Sequence, residues 1–212
     1  MRRPRVLLAD DHRIVTEGLK SLLEPEFEFV GTVEDGRALI AAAAKLKPDV
    51  IVVDISMPLL NGIDAVRQIK HANDSIKIVF LTMHLDVAYA VSAFEAGASG
   101  YVLKHSAPSE LVSAIRSALS GKIFVTPLLK GELIQKSNAH FTLRDAATRL
   151  TERQREIIQL LAEGSSAKEI GVLLNISSRT VEFHKYRIMK DLGLETAAEL
   201  FHYAIRHGIT PE

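Results

Sequence analysis

Three aspartates, a threonine and a lysine stand at the ends of apolar runs in the first half of this 212-residue chain. "VLLA" leads into Asp10-Asp11, "VIVV" into Asp54, "IVFL" into Thr82 and "YVL" into Lys104. Adjacent carboxylates repel, so the pair at 10 and 11 needs compensation, most simply by a cation. Three carboxylates brought together suit a hard ion such as Mg2+, which takes one or two carboxylates, phosphate oxygens and water. A carboxylate can also act as a nucleophile and carry a phosphoryl group. The Lys104 ammonium would then neutralise phosphoryl charge, and the Thr82 hydroxyl would hydrogen-bond a phosphoryl oxygen. Each residue alone has a plainer reading. An Asp after a strand commonly caps the next helix, and a lone Thr or Lys at a strand end is commonly structural or solvated. The agreement of four strand ends is what favours a site.

These residues meet only if the runs are parallel strands of one sheet. The stretches 6–9, 29–33, 50–54, 76–82 and 101–104 are short and rich in Val and Ile, as strands buried on both faces are. Helical periodicity fills 13–23, 36–46, 62–72, 86–96 and 108–120 between them. Five strands alternating with five helices predict an α/β domain, a doubly wound parallel sheet with helices on both faces. Such strands end on one edge, where ligands bind. Val15, Leu19, Leu111 and Ile115, on the first and last of these helices, are expected in the core.

From Thr151 the strand pattern stops. "LTERQREIIQLLAEG" predicts a helix capped by Thr151 and stopped at Gly164, and "SAKEIGVLLN" one that ends at Asn175. "SSRTVEFHKYRIMKDLG" and "TAAELFHYAIRHG" are the third and fourth. The expected domains are therefore 1–120, a linker over 121–144, and a second, all-α domain of four helices over 145–212. The linker holds Gly121, Pro127, Gly131 and the polar "QKSNAH", with one short helix near 128–136.

Composition excludes several classes. There is no cysteine, hence no disulfide or thiolate metal site, as in a reducing compartment. No apolar run approaches the ~20 residues of a membrane span, and "MRRPRV" lacks a signal core, so the expectation is a cytoplasmic protein without a membrane partner. Net charge is zero, with 13 Lys/Arg against 15 Asp/Glu in 1–120 and 13 against 11 in 121–212. Bulk charge therefore does not indicate nucleic acid. One helix does so locally: residues 177–190 carry four basic residues and one acidic one. At ~100° per residue, Val181, Ile188 and Leu192 form its core face. Arg179, Phe183, Tyr186 and Lys190 lie opposite, flanked by Glu182 and Arg187. Exposed aromatics among cations mark a contact, and a helix of this length suits the major groove.

The motifs "LLADDH", "VVDISMPLLNG", "LTMH" and "AGASGYVLK" resemble the receiver domain of two-component response regulators, over residues 5–120. The resemblance implies a flavodoxin-like fold, Asp54 as phosphoacceptor and Asp10 and Asp11 as the acidic pair around Mg2+. It adds the Ser56 carbonyl as a metal ligand, Thr82 and Tyr101 as a switch pair, and Lys104 as the phosphoryl-binding lysine. Tyr101 also reads as a plain core aromatic. Met57-Pro58 would shape the loop after Asp54, and Asn61-Gly62 would supply its turn. Ser56 and His84 would border the path of attacking water, with the bulk of Met83 nearby. His105 stands where many receivers have proline, often in a cis bond; without proline that bond costs about 3–4 kcal/mol.

The segment from Leu150 to Leu194 resembles the LuxR-type helix-turn-helix, with "TERQRE", "AKEI" and "S-x-R-T-V-E-x-H" in place. That resemblance makes Ser178, Thr180, His184 and Arg187 candidate phosphate contacts and Glu182, Phe183 and Tyr186 candidate base readers. Glu182 could accept from cytosine N4, and Lys168 would touch the backbone from the preceding helix. Ser177 reads equally well as a helix cap. Together the halves resemble the NarL/FixJ family of response regulators. The implied protein is a transcription regulator, phosphorylated on Asp54 by a sensor histidine kinase, which then dimerises and binds double-stranded promoter DNA. Two rivals stand beside it. A Mg2+-dependent phosphatase would use an aspartyl nucleophile, though usually as D-x-D after the first strand. A binding module would act without phosphorylation, against which the complete acidic set speaks.

Overall fold

The computed structural model describes residues 2–131 and 150–210, and the chain folds as two compact units. In the first, strands and helices alternate: β1 (Arg5–Ala9), α1 (Arg13–Leu23), β2 (Glu28–Val33), α2 (Gly36–Leu46), β3 (Val50–Val53), α3 (Gly62–Ala72), β4 (Lys77–Thr82), α4 (Val87–Glu95), β5 (Gly100–Leu103), α5 (Ala107–Leu119) and β6 (Phe124–Val125). The sheet is parallel throughout, in the order β2-β1-β3-β4-β5-β6. It is the doubly wound α/β fold expected, with one strand more than the five predicted. β6 lies in the stretch read as linker. Two residues cannot display a period, so the sequence carried no strand signal there. The strand is real in its bonding: Phe124 N donates to Ser99 O at 3.0 Å and Thr126 N to Tyr101 O at 2.9 Å. Residues 127–131 are helical; the remainder of the helix expected near 128–136 lies outside the described residues.

The sheet buries both faces, which explains its unbroken apolar strands. Val6 and Leu8, Val50 and Val52, Val79 and Leu81, and Val102 share one core with Leu19 and Leu23 of α1 and Leu111, Ala114, Ile115 and Ala118 of α5. Leu19, Leu111 and Ile115 are thus core residues, and Val15 packs against them. The alternate positions, among them Leu7, Ile51, Ile78, Phe80 and Tyr101, are buried as well.

Among the described residues the second unit has four helices: α6 (Glu152–Ala162), α7 (Ala167–Leu174), α8 (Ser178–Leu192) and α9 (Ala197–Arg206). Their starts are written in the sequence. Thr151 and Gln154, Ser166 and Glu169, and Thr196 and Glu199 each form a capping box, which satisfies two orphan N–H groups reciprocally. Ser177 caps α8, accepting from Thr180 N. Ile157, Ile158, Ile170, Leu174, Val181, Ile188, Leu200 and Ala204 form the core. The turn between α7 and α8 is tight. Asn175 ends α7 in the left-handed region, φ 53°, and a Cβ on Gly171 would lie 2.8 Å from the Ile176 carbonyl oxygen.

Gly171→Ala must therefore push the turn off α7. We expect it to destabilise the second unit by about 1–3 kcal/mol, as overpacking does. Gly18→Ala in α1 meets open space and should stabilise by about 0.4–1 kcal/mol. Thermal unfolding of the two variants should move in opposite directions.

Candidate functional site

The carboxyl edge of the sheet assembles the residues that the strand ends predicted. Asp10 follows β1 and Asp54 follows β3, its neighbour in the sheet. Asp54 N donates to Ala9 O at 2.8 Å, and both aspartates are buried. Lys104 opens a 3-10 turn after β5 and reaches back between them. Its Nζ lies 2.8 Å from Asp10 Oδ2 and 2.8 Å from Asp54 Oδ2. Asp11 lies at the rim with His12, whose Nδ1 is 2.7 Å from Asp11 Oδ1 and 3.2 Å from Asp10 Oδ1. Neither aspartate caps α1: the capping position is His12, which makes no side-chain cap bond.

Burial pushes the Asp54 carboxyl above the ordinary carboxylate range; Lys104 opposes that rise and Asp10 adds to it. For Lys104 burial pulls the other way, but Asp54 and Asp10 together hold its ammonium above the usual lysine value. Ligand atoms of Asp10, Asp11, His12 and Asp54 all lie within 4.8 Å of one another. The carboxylate oxygens fit Mg2+, a hard cation.

Gly62, the first residue of α3, has a role the sequence reading put down to a turn. Asn61 is the helix cap. A Cβ on Gly62 would fall 1.9 Å from the Asp54 carbonyl oxygen. Its φ is not positive, so the glycine is required by close approach rather than by turn geometry. Asp54 Oδ1 accepts from Ile55 N at 2.7 Å.

Thr82 ends β4, fully buried, as Tyr101 is in β5. His84 joins them. Its N–H donates to Thr82 Oγ1 at 3.2 Å, its carbonyl accepts from the Tyr101 hydroxyl at 2.8 Å, and its Nε2 is 2.8 Å from Ser56 Oγ. The imidazole stacks on Tyr89 of α4, with centroids 4.0 Å apart. Burial pushes the Tyr101 phenol far above its ordinary value, so it is a neutral donor. The sequence placed His84 beside a water path but gave no sign of this bonding, because loop side chains follow no period. Met83 is 68% exposed and stands in solvent, so its bulk is not spent on the pocket. The Lys104–His105 bond is trans.

In the second unit, α8 divides as expected. Val181 and Ile188 are buried and Leu192 packs against their core. Arg179, Glu182 and Lys190 are exposed, as are Phe183 at 59% and Tyr186 at 68%. Ser178 and Arg187 are exposed, Thr180 half-buried, and Lys168 exposed at the start of α7. Thr180 Oγ1 lies 2.8 Å from Ser177 Oγ, and Arg187 Nε 3.7 Å from Asp191 Oδ2. His184 is half-buried, with its Nδ1 sealed from solvent, so only part of its ring faces outward.

Comparison with known proteins supports both halves. The family described as response regulator receiver domain matches residues 6–116, and that described as bacterial regulatory proteins, luxR family, matches 148–204. Response regulator UvrY of Escherichia coli strain K12 is 33% identical over 206 residues, covering 96% of this chain and 94% of that protein. The transcriptional regulatory protein MctR of Rhizobium johnstonii is 36% identical, covering 97% and 94%. The solved structure of RcsB from Salmonella enterica serovar Typhimurium, bound to a promoter with the phosphomimetic BeF3−, is 31% identical. It covers 97% of this chain and 100% of that one, with a TM-score of 0.62.

Removing the bridging ammonium strands two buried carboxylates. Lys104→Met should destabilise the first unit by about 3 kcal/mol in chelator, the cost of breaking a buried pair, and Mg2+ should recover part of it. Asp54→Asn should do the reverse. A carboxyl whose folded pKa is raised weakens the fold once pH exceeds its ordinary value of 3.8. The variant should therefore gain stability at neutral pH, the gain shrinking as pH falls toward that value. Thermal unfolding against pH in chelator measures both.

Proposed function

The chain belongs to the response regulators that join a receiver to a LuxR-type helix-turn-helix domain, and on that premise we propose a phosphorylation-activated transcription regulator. The observation that carries this is Lys104 held between Asp10 and Asp54 at the edge where β4 presents Thr82. An Asp54 carboxylate oxygen would form the new O–P bond as the P–N bond of a sensor kinase phosphohistidine breaks, the imidazole leaving with its electron pair. Asp10, Asp11, Asp54 and the Ser56 carbonyl would hold Mg2+, which supplies positive charge against the phosphoryl oxygens. Lys104 would turn from the carboxylates toward the new anion, and the Thr82 hydroxyl would donate to it.

The readout would be the Thr82–His84–Tyr101 set. A hydroxyl drawn to the phosphoryl group moves the residue whose carbonyl holds the Tyr101 ring, and so the surface between β4 and α4. Two copies pairing there, or on another receiver face, would present two α8 helices to half-sites about one DNA turn, ~34 Å, apart. In that role Ser178, Thr180, His184, Arg187, Lys190 and Lys168 would meet phosphates, Glu182, Phe183 and Tyr186 would face base edges, and Arg179 would contact DNA from the same stripe. The phosphatase reading has less support, since the aspartates adjoin rather than alternate after β1. Among the described residues no helix is long and apolar enough to cross a membrane, which agrees with action in the cytoplasm.

Adding Mg2+ and a phosphoryl mimic to the full chain should shift its solution mass toward dimer and tighten binding to a two-half-site operator. Asp54→Ala should lose both responses, and Asp11→Ala should lose Mg2+-dependent phosphorylation while remaining folded. A wild type in which neither mass nor affinity moves would favour a phosphorylation-independent binding module. Separately, Arg187→Ala or Lys190→Ala should weaken binding to all sequences and reduce the slope of log affinity against log salt by roughly one. A titration across salt concentrations on specific and random duplexes checks it.

A further inference from the structure

The outward stripe of α8 holds Arg179, Phe183, Tyr186 and Lys190, and Phe183 is its one wholly apolar side chain. The residue is 59% exposed. Its neighbour His184 meets it edge-on, centroids 6.1 Å apart at 70°. Cations and Tyr186, with its hydroxyl, can serve water or any polar edge. A phenyl ring cannot, and gains only where an apolar group comes to meet it. Phe183 also lies in the first half of the helix, Ser178–Leu192, the part that approaches base edges when such a helix enters a groove.

The major groove offers that ring one apolar partner. Guanine, adenine and cytosine show donors and acceptors there, and thymine alone adds a C5 methyl group. We propose that Phe183 is a specificity-determining residue that reads the methyl of a thymine in each operator half-site. The inference rests on α8 being the groove helix. Glu182 beside it accepts hydrogen bonds only, so the adjoining base pair should show a donor, as cytosine N4 does.

The test uses the full-length protein and a pool of random, unmodified duplexes. Sequences enriched by the wild type should share a thymine whose preference disappears in the pool enriched by Phe183→Ala. Replacing that thymine with deoxyuridine removes the methyl and nothing else. It should weaken wild-type binding roughly fourfold, the worth of one buried methyl group, and leave Phe183→Ala unchanged. The side chain is exposed, so the variant should unfold at the wild-type temperature. If deoxyuridine changes the wild type nowhere, or weakens the variant equally, the thymine assignment is wrong while DNA binding stands. If the wild type enriches no sequence at all, the groove reading falls and takes the assignment with it.

Discussion

A lysine ammonium held between two buried carboxylates fixes the geometry of the first unit's functional edge. Lys104 Nζ sits 2.8 Å from both Asp10 and Asp54, and those three residues come from the ends of β1, β3 and β5. Without a cation there, the sheet would bring two buried like charges together, where the Coulomb cost is larger than in water. The bond depends on the strand order, because parallel strands all end on one edge and Lys104 reaches past β4 to both aspartates. It also leaves the edge poised. A charge pattern balanced by one ammonium responds to any new anion or cation that enters, so the group that stabilises the fold is the one the proposed chemistry would rearrange.

Much of this was legible in the sequence because the relevant signals are periodic or terminal. Strands buried on both faces spell unbroken Val and Ile runs, and the residue after each run is then known to lie on one edge. Helix starts are equally plain where Thr151, Ser166 and Ser177 cap. Other features left no trace. His84 makes its contacts through its own backbone as much as its ring, and backbone bonds have no residue signature. The short strand Phe124–Val125 is too brief for alternation. Gly62 was visible as a glycine, but whether it served a bend or a close approach depended on the Asp54 carbonyl 1.9 Å from its missing Cβ, a contact eight positions back in the chain.

The two glycine contacts show the same economy in both units. At Gly62 a helix begins against the backbone of the phosphoacceptor candidate; at Gly171 a helix lies against the turn that launches α8. In each case a functional element is held at backbone distance by a helix with no side chain at the crossing. Such contacts resist the small shifts that a side-chain layer would absorb, since interiors are packed close to crystal density. Precision at Asp54 and at the outward face of α8 is thus built into the main chain, while the exposed side chains of α8 can vary without disturbing it.

β6 bears on a different matter, the solubility of the sheet. A parallel sheet ends in two strands with unpaired N–H and C=O groups, and each is a template on which a second chain can grow. On one side the edge is β2, which carries Glu28 and Thr32 outward of its apolar positions. On the other, β5 would end the sheet with four buried apolar or aromatic residues, Gly100–Leu103, the composition most prone to uncontrolled pairing. Phe124 and Val125 occupy its free hydrogen bonds and stop after two residues, leaving an edge too short to extend. If its self-association is to answer to a signal, as proposed, the chain has reason to close off the kind that answers to concentration alone.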